Sequence, residues 1–295
     1  MSKVNLFVIG APKCGTTALC EYLTSHPDIQ FSSPKEAKYF HTDFNKSHRY
    51  VHSEKQYHSC FGSWPCDSKV IAEGTVWYLY SRVAVKNIIQ YNPDAKFVVM
   101  LRNPIDLAYS LHSQLLYGGD ESEKDFDAAW KLQDARSNKQ HIPRNCRDPK
   151  SLQYGEIAKL GKQVNNLLNL VDRKNIKFII FDDFIKNPDV EYLNVLSFIG
   201  LHDDGRKDFP KINENKKIQS GLLTWLLYES KNIKNKLGLR KSFGIWKFLS
   251  HLISVKSERS PLKNDMRNEM KEYFKDDVML LSSLIDRNLN YWLDE

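Results

Sequence analysis

Cysteine is scarce in this chain. Cys14, Cys20, Cys60, Cys66 and Cys146 are the only five in 295 residues. So few, and an odd number, exclude a disulfide framework and fit a reducing compartment. Cys60 and Cys66 are close enough to pair, but the same arithmetic weighs against it. No window approaches the roughly 18 apolar residues that a bilayer span requires. The N-terminus enters an apolar run almost at once and lacks the pattern of a secretory leader. Internal repeats and low-complexity tracts are also missing. These absences predict a soluble, cytoplasmic protein. Hydrophobic residues still make up 41%, enough for a sizeable core and too many for global disorder. The length suits one α/β domain over residues 1–295, with insertions.

Acidic residues are scarce in one place. Residues 206–263 hold 14 Lys/Arg against 4 Asp/Glu, whereas the rest of the chain holds 29 against 32. The formal net charge of +7 therefore belongs to one segment, which implies a local anionic partner. Within it, 221–253 mixes Lys/Arg with leucines and with Trp225, Phe243, Trp246 and Phe248. That pattern fits helices packed over a sheet. It equally fits peripheral contact with an anionic membrane or an acidic glycan. No nucleic-acid motif and no regular aromatic–basic interleaving accompany the charge, so nucleic acid is not expected.

Two stretches, Val4–Ile9 and Lys96–Leu101, are near-continuous apolar runs of the kind found in strands buried on both faces. A third strand is expected at Ile176–Ile185, running into a loop. Thr16–Ser25 reads as a helix stopped by His26-Pro27-Asp28. Pro104 opens another. Ile157, Leu160, Val164, Leu167 and Val171 recur at spacings of three and four, as in one amphipathic helix. Alternating strands and helices predict an α/β fold, a P-loop-like parallel sheet flanked by helices. Residues 41–70 and 118–150 are polar and irregular. They are expected as insertions over the carboxyl ends of the strands, where ligands of such sheets bind.

The stretch Gly10-Ala11-Pro12-Lys13-Cys14-Gly15-Thr16-Thr17-Ala18 joins the first strand to the first helix. Amides at a helix N-terminus hold phosphate or sulfate without side-chain help. Gly10 and Gly15 allow the tight turn, Thr16 and Thr17 add hydroxyls, and Lys13 can reach a bridging oxygen. The nucleotide loop G-x-x-x-x-G-K-[ST] carries its lysine after the second glycine; here Thr16 stands there. Magnesium-bound ATP is disfavoured, and an anion needing less positive charge is favoured. A plain glycine turn capping a helix is the bland alternative. Cys14 lies near a helix N-terminus, which can lower a thiol pKa; the simpler reading is that a small residue fits. Arg102 ends the second strand, and Ser110 follows eight residues later. A guanidinium fork and a hydroxyl suit a phosphate. Two anion sites on neighbouring strand ends imply one ligand with two separated anionic groups.

These motifs resemble those of the sulfotransferases that use 3′-phosphoadenosine 5′-phosphosulfate (PAPS). Ala11–Leu19 looks like their 5′-phosphosulfate loop and Leu101–Ser110 like their 3′-phosphate motif. Similar segments continue through Ser33–Phe40, Glu73–Leu79, Phe181–Pro188 and Leu281–Leu293, so the likeness covers most of Val4–Leu293. The nearest subgroup is the carbohydrate type, related to heparan sulfate and bacterial sulfotransferases. The resemblance implies metal-independent, in-line transfer of a sulfuryl group from PAPS to a hydroxyl or amine of a carbohydrate or glycolipid acceptor. It implies that Lys13, Cys14, Gly15, Thr16, Thr17, Ala18, Arg102 and Ser110 bind the donor. Lys13 would stabilise the leaving oxygen, and Glu36 would act as general base. Lys35 could tune Glu36 by proximity. Lys216 or Lys217 would lie in a loop near the donor.

One departure is visible. The family's E-K-[ST]-x-x-Y segment reads Glu73-Gly74-Thr75-Val76-Trp77-Tyr78 here, so a second catalytic lysine, if needed, comes from elsewhere. His112 is a rival base on the helix of Ser110. A zinc site at His41, His48, His52, His58, Cys60 and Cys66 lacks the tight ligand spacing zinc requires. The competing functional readings are a P-loop kinase-like phosphotransferase and a non-catalytic anion- or glycan-binding protein.

Overall fold

The structure is a computed structural model describing residues 2–65, 67–212, 216–218, 254–256 and 261–294. Its centre is a five-stranded sheet: β1 (Leu6–Gly10), β2 (Ile29–Phe31), β3 (Val70–Glu73), β4 (Lys96–Leu101) and β5 (Ile176–Ile180). The order is β2-β3-β1-β4-β5, and every neighbouring pair is parallel. Leu6 lies opposite both Ala72 and Lys96, and Met100 opposite Ile179. All five residues of β1 are buried, because helices cover both faces of a parallel sheet. Parallel strands also end together. Gly10, Phe31, Glu73, Leu101 and Ile180 bring the segments that follow them to one edge.

The helices, in chain order, are α1 (Thr16–Thr24), α2 (Glu54–His58), α3 (Ala84–Tyr91), α4 (Pro104–Gly118), α5 (Phe126–Lys131), α6 (Gln133–Ser137), α7 (Tyr154–Ala158), α8 (Leu160–Leu168), α9 (Phe181–Lys186), α10 (Pro188–Ile199), α11 (Asn264–Ile285) and α12 (Tyr291–Asp294). Pro104 occupies the first turn of α4, as its sequence implied, and the Asn103 side chain caps that helix by accepting from the Ile105 amide at 3.0 Å. The backbones of Lys216–Ile218 and Ser254–Lys256 pair as antiparallel strands β6 and β7. The rest of 213–260 lies outside the described residues. That includes the expected amphipathic region 221–253 and the side chains of Lys216 and Lys217.

Two expectations about local structure change. The single amphipathic helix over Ile157–Val171 is two helices, α7 and α8, parted at Lys159. The Asp277 carboxylate of α11 explains the break. It accepts from the Gly161 and Lys162 amides at 2.8 and 2.9 Å, so a separate helix start is satisfied from a neighbour. The strand expected over Ile176–Ile185 stops at Ile180 and continues as α9 rather than a loop. Asp182 and Asp183 occupy the first turn of α9, the favourable end of its dipole, and Phe184 is buried. The short strands β2 and β3 carry too few residues to show a period. The two insertions hold short helices and are tied to each other. The Asn45 amide donates to Asp148 at 2.7 Å, Ser47 donates to the Arg147 carbonyl at 2.7 Å, and Lys150 pairs with Asp43 at 3.2 Å. A buried pair, Arg136 with Glu121 at 2.6 and 2.8 Å, is joined by the Tyr154 hydroxyl at 2.6 Å and fixes the second insertion to α7.

The α8–α11 contact tolerates no side chain at position 161. A Cβ on Gly161 would fall 2.2 Å from the Asp277 carbonyl oxygen, a backbone atom that cannot step aside. Gly161→Ala is expected to destabilise the fold by about 1–3 kcal/mol, the usual cost of overpacking, as read from urea unfolding midpoints. An unchanged midpoint would show that the two helices are not locked at this point.

Candidate active site

The loop after β1 is tightly curled. Lys13 has φ +65° and Gly15 has φ +82°, and Gly15 opens α1 without a side-chain cap. A Cβ on Gly15 would press the Phe181 ring at 3.0 Å in a left-handed backbone, so glycine is required there. Among the described residues no side chain caps the start of α1, the arrangement that leaves helix amides available to an anion. Cys14 turns inward. Its thiol is fully buried, donates to the Pro12 carbonyl at 3.4 Å, and is pushed up to about 12 by burial. Only the backbone of Cys14 is left to face a ligand, and the small-residue reading is the one this geometry fits. Ala18 is also buried, whereas Thr17 is half-buried.

Arg102, at the end of β4, lies against this loop. Its Nη1 donates to the Lys13 carbonyl at 3.0 Å, its Nη2 meets Asp106 at 3.4 Å, and its guanidinium stacks 4.6 Å from the Phe181 ring centroid. Its Nε is buried and has no partner among the described residues. Ser110 sits on the buried side of α4 at 1% exposure. His112, two residues further along α4, is buried among Phe126 and Tyr154. It engages the Glu123 carbonyl at 2.8 Å, and burial lowers its pKa. The structure thus separates His112 from the space that Glu36 faces.

Glu36 follows β2 on the segment Ser33–Phe40. Together with Lys38, His48, Trp77, Gln114, Tyr117, Asp120 and Arg147 it lines a cavity of about 210 Å³. The walls come from both insertions and from the end of α4. Glu36 is partly exposed, and its carboxylate lies 3.7 Å from the Lys38 ammonium. Lys38 itself has φ +56° and places its ammonium 4.8 Å from the Tyr50 ring centroid. His41 and His48 meet at 3.2 Å, and burial holds both neutral, near 3 and 2. Among the described residues no three His, Cys, Asp or Glu side chains converge as a metal-binding group. Cys66 lies outside the described residues, so a bond to Cys60 has no structural description.

Sequence reasoning missed how this segment is held. Glu73, at the end of β3, is completely buried. It accepts hydrogen bonds from Thr75 at 2.5 Å, Tyr78 at 2.8 Å and Tyr57 at 2.9 Å. Two of those hydroxyls work in both directions. Thr75 also accepts from the Lys38 amide at 3.2 Å, and Tyr78 from the amides of Tyr39 and Phe40 at 2.9 and 3.2 Å. The matched residues Glu73, Thr75 and Tyr78 thus clamp the backbone that presents Glu36. The cavity residues Gln114, Tyr117, Asp120 and Arg147 had no motif to reveal them.

Burial raises the Glu73 carboxyl to about 7, against the lowering effect of its three hydroxyl donors. The folded protein therefore keeps this proton at pH values where the unfolded chain has lost it. The stabilisation is fully present below about pH 4.5 and fades as pH rises through about 7. The stability of the wild type relative to Glu73→Gln is expected to fall across that window by about 3 kcal/mol, measured as urea midpoints from pH 4.5 to 8. A pH-independent difference would refute the raised carboxyl.

The profile described as "Sulfotransferase domain" matches residues 3–282. A sulfotransferase from Alicyclobacillus acidocaldarius shares the fold with a TM-score of 0.71 at 24% identity, covering 99% of each chain. A mouse sulfotransferase solved with PAP has a TM-score of 0.52 at 13% identity, covering 97% of this chain and 88% of that one. Among curated relatives, the bifunctional heparan sulfate N-deacetylase/N-sulfotransferase 1 of Caenorhabditis elegans is 31% identical over 112 residues, 38% of this chain and 13% of the relative. Human heparan sulfate glucosamine 3-O-sulfotransferase 6 is 30% identical over 109 residues, 37% of this chain and 30% of the relative. The aligned stretches thus span under a third of either relative. The match over residues 3–282, on a parallel sheet with a glycine-containing loop between its first strand and first helix, makes this chain a member of the sulfotransferase family.

Proposed function

We propose that this protein moves a sulfuryl group from PAPS to a hydroxyl or amine of a carbohydrate-type acceptor. The observation that carries the reading is the meeting of two anion positions at one sheet edge. The first is the uncapped start of α1. The second is Arg102, bonded to the Lys13 carbonyl and keeping a buried Nε without a partner among the described residues. A ligand with separated 5′ and 3′ anionic groups fits both, whereas a single phosphate fits one. In this reading Lys13, Gly15, Thr16 and Thr17 hold the 5′-phosphosulfate, with the backbone of Cys14 and Ala18 completing the loop. Arg102 and Ser110 hold the 3′-phosphate.

The step is a displacement at sulfur. The acceptor oxygen or nitrogen forms the new bond to sulfur and gives its proton to Glu36. The bond from sulfur to the bridging oxygen breaks, and its electron pair stays on the 5′-phosphate beside Lys13. The products are the sulfated acceptor and 3′,5′-ADP. A sulfuryl group carries less charge than a phosphoryl group, so the step needs no metal to neutralise it. The Glu36 cavity supports a sugar acceptor. Trp77 and Tyr117 supply ring surface, while Gln114, Asp120 and Arg147 supply polar contacts of the kind hydroxyl-rich ligands use. The heparan sulfate relatives point the same way. The basic stretch 206–263 would attract an acidic glycan or an anionic membrane surface. Flotation with liposomes of neutral and anionic composition separates the two, since binding to neither removes the membrane version. The scarcity of cysteine supports a cytoplasmic site of action.

The test is transfer of radiolabel from [³⁵S]PAPS across desulfated heparin, other glycans, glycolipids and phenols, with calorimetry of 3′,5′-ADP in the presence of EDTA. Label on sugars and metal-free 3′,5′-ADP binding are expected. A requirement for magnesium and ATP would move the protein to the kinase-like reading, binding without transfer to the non-catalytic one, and label confined to phenols to another acceptor class. Arg102→Ala should weaken 3′,5′-ADP roughly 10- to 100-fold, the worth of hydrogen bonds to a charged group. Glu36→Gln should lower kcat by about 10²- to 10⁴-fold with 3′,5′-ADP affinity unchanged. Wild-type turnover in Glu36→Gln would remove it as the base.

A further inference from the structure

We infer that Lys35 is a second catalytic cation, whose ammonium contacts the sulfuryl oxygens while the group is in transit. The inference rests on the donor reading above and adds a residue to it. The Lys35 carbonyl is pinned twice, by the Ser32 hydroxyl at 2.8 Å and the Gly74 amide at 3.1 Å. From this fixed backbone the side chain runs across the face of Gly74. A Cβ on Gly74 would lie 2.9 Å from Lys35 Cε, 3.4 Å from its Cγ and 2.7 Å from Cys20 Sγ. The missing side chain at position 74 is therefore the channel through which Lys35 passes. At its far end the Lys35 ammonium donates to Thr16 Oγ1 at 3.1 Å, on the first residue of α1.

The charge of Lys35 is aimed at the phosphate loop. Its sequence neighbour Glu36 is instead 3.7 Å from Lys38, and among the described residues no carboxylate stands within ion-pair distance of Lys35. A half-buried ammonium resting on a hydroxyl is incompletely compensated, and an anion is its natural complement. The location identifies which anion. Lys35 joins the loop that would hold the leaving oxygen to the segment bearing the base, so it stands where the sulfuryl group passes between them. It moves no proton. As the bond from sulfur to the bridging oxygen breaks, the ammonium offsets charge on the oxygens of the transferring group, and Lys13 offsets charge on the oxygen left behind.

The two products of bond cleavage separate the roles, because 3′,5′-ADP lacks the sulfuryl group. With [³⁵S]PAPS and whichever acceptor labels in the panel above, Lys35→Met should lower kcat by about 10²- to 10³-fold, as loss of a transition-state donor does. Its affinity for 3′,5′-ADP, measured by calorimetry, should stay near that of the wild type and report intact folding. Lys35→Arg, which keeps the charge, should recover part of the loss. Gly74→Ala, which keeps Lys35 but crowds its Cε, should reproduce the fall in kcat in milder form with 3′,5′-ADP binding again kept. Wild-type turnover in Lys35→Met overturns the assignment alone. A tenfold or larger loss of 3′,5′-ADP affinity in Lys35→Met also overturns it, by putting the ammonium on the 5′-phosphate. A wild type that neither binds 3′,5′-ADP nor transfers label overturns the donor reading and the role of Lys35 with it.

Discussion

A buried carboxylate normally has a cation beside it, and Glu73 has hydroxyls instead. Burying a carboxyl is costly unless its oxygens find partners; Thr75, Tyr78 and Tyr57 supply them, and burial still raises the group so that it keeps its proton. A hydroxyl that donates can still accept. Thr75 and Tyr78 therefore pass the constraint outward to the amides of Lys38, Tyr39 and Phe40. The segment between β2 and the first insertion has no regular structure of its own around Glu36. Its shape is set by this relay, and through it the end of β3 governs where Lys35, Glu36 and Lys38 stand.

The cations at this edge are sorted by what fixes them. Lys38 is drawn to Glu36, Lys35 to Thr16, and Arg102 to the Lys13 carbonyl. Lys35 and Arg102 are positioned by hydrogen bonds, and Lys38 by its ion pair with Glu36. Nucleophilic and titratable groups nearby are kept out of play by burial. The Cys14 thiol is raised, His41 and His48 are held neutral, and His112 is committed to a backbone carbonyl. Glu36 is the carboxylate facing the cavity that is neither buried nor locked in a bidentate pair; Asp120, in the same wall, is tied to Arg147.

Much of the architecture was legible because it depends on local rules. Apolar runs in β1 and β4, the glycines around Lys13 and the proline opening α4 each act within a few residues. Errors arose where a distant group decided. Asp277, more than a hundred residues away, split the expected helix between α7 and α8. Three- and four-residue strands were invisible because a period needs length. Gly74 read as a departure from a pattern, and only the packing shows that its missing side chain admits Lys35.

The sequence by itself determined the glycine-containing loop after β1, the strand-end arginine, the glutamate after β2 and the family to which they point. These motifs are short and their chemistry is carried by residue type and spacing. Tertiary structure alone decided which lysine meets the loop, which histidine stays outside the cavity, and which walls surround Glu36. Those outcomes depend on the parallel sheet bringing five strand ends, far apart in the chain, to one edge, and spacing along a sequence carries no record of distance across it.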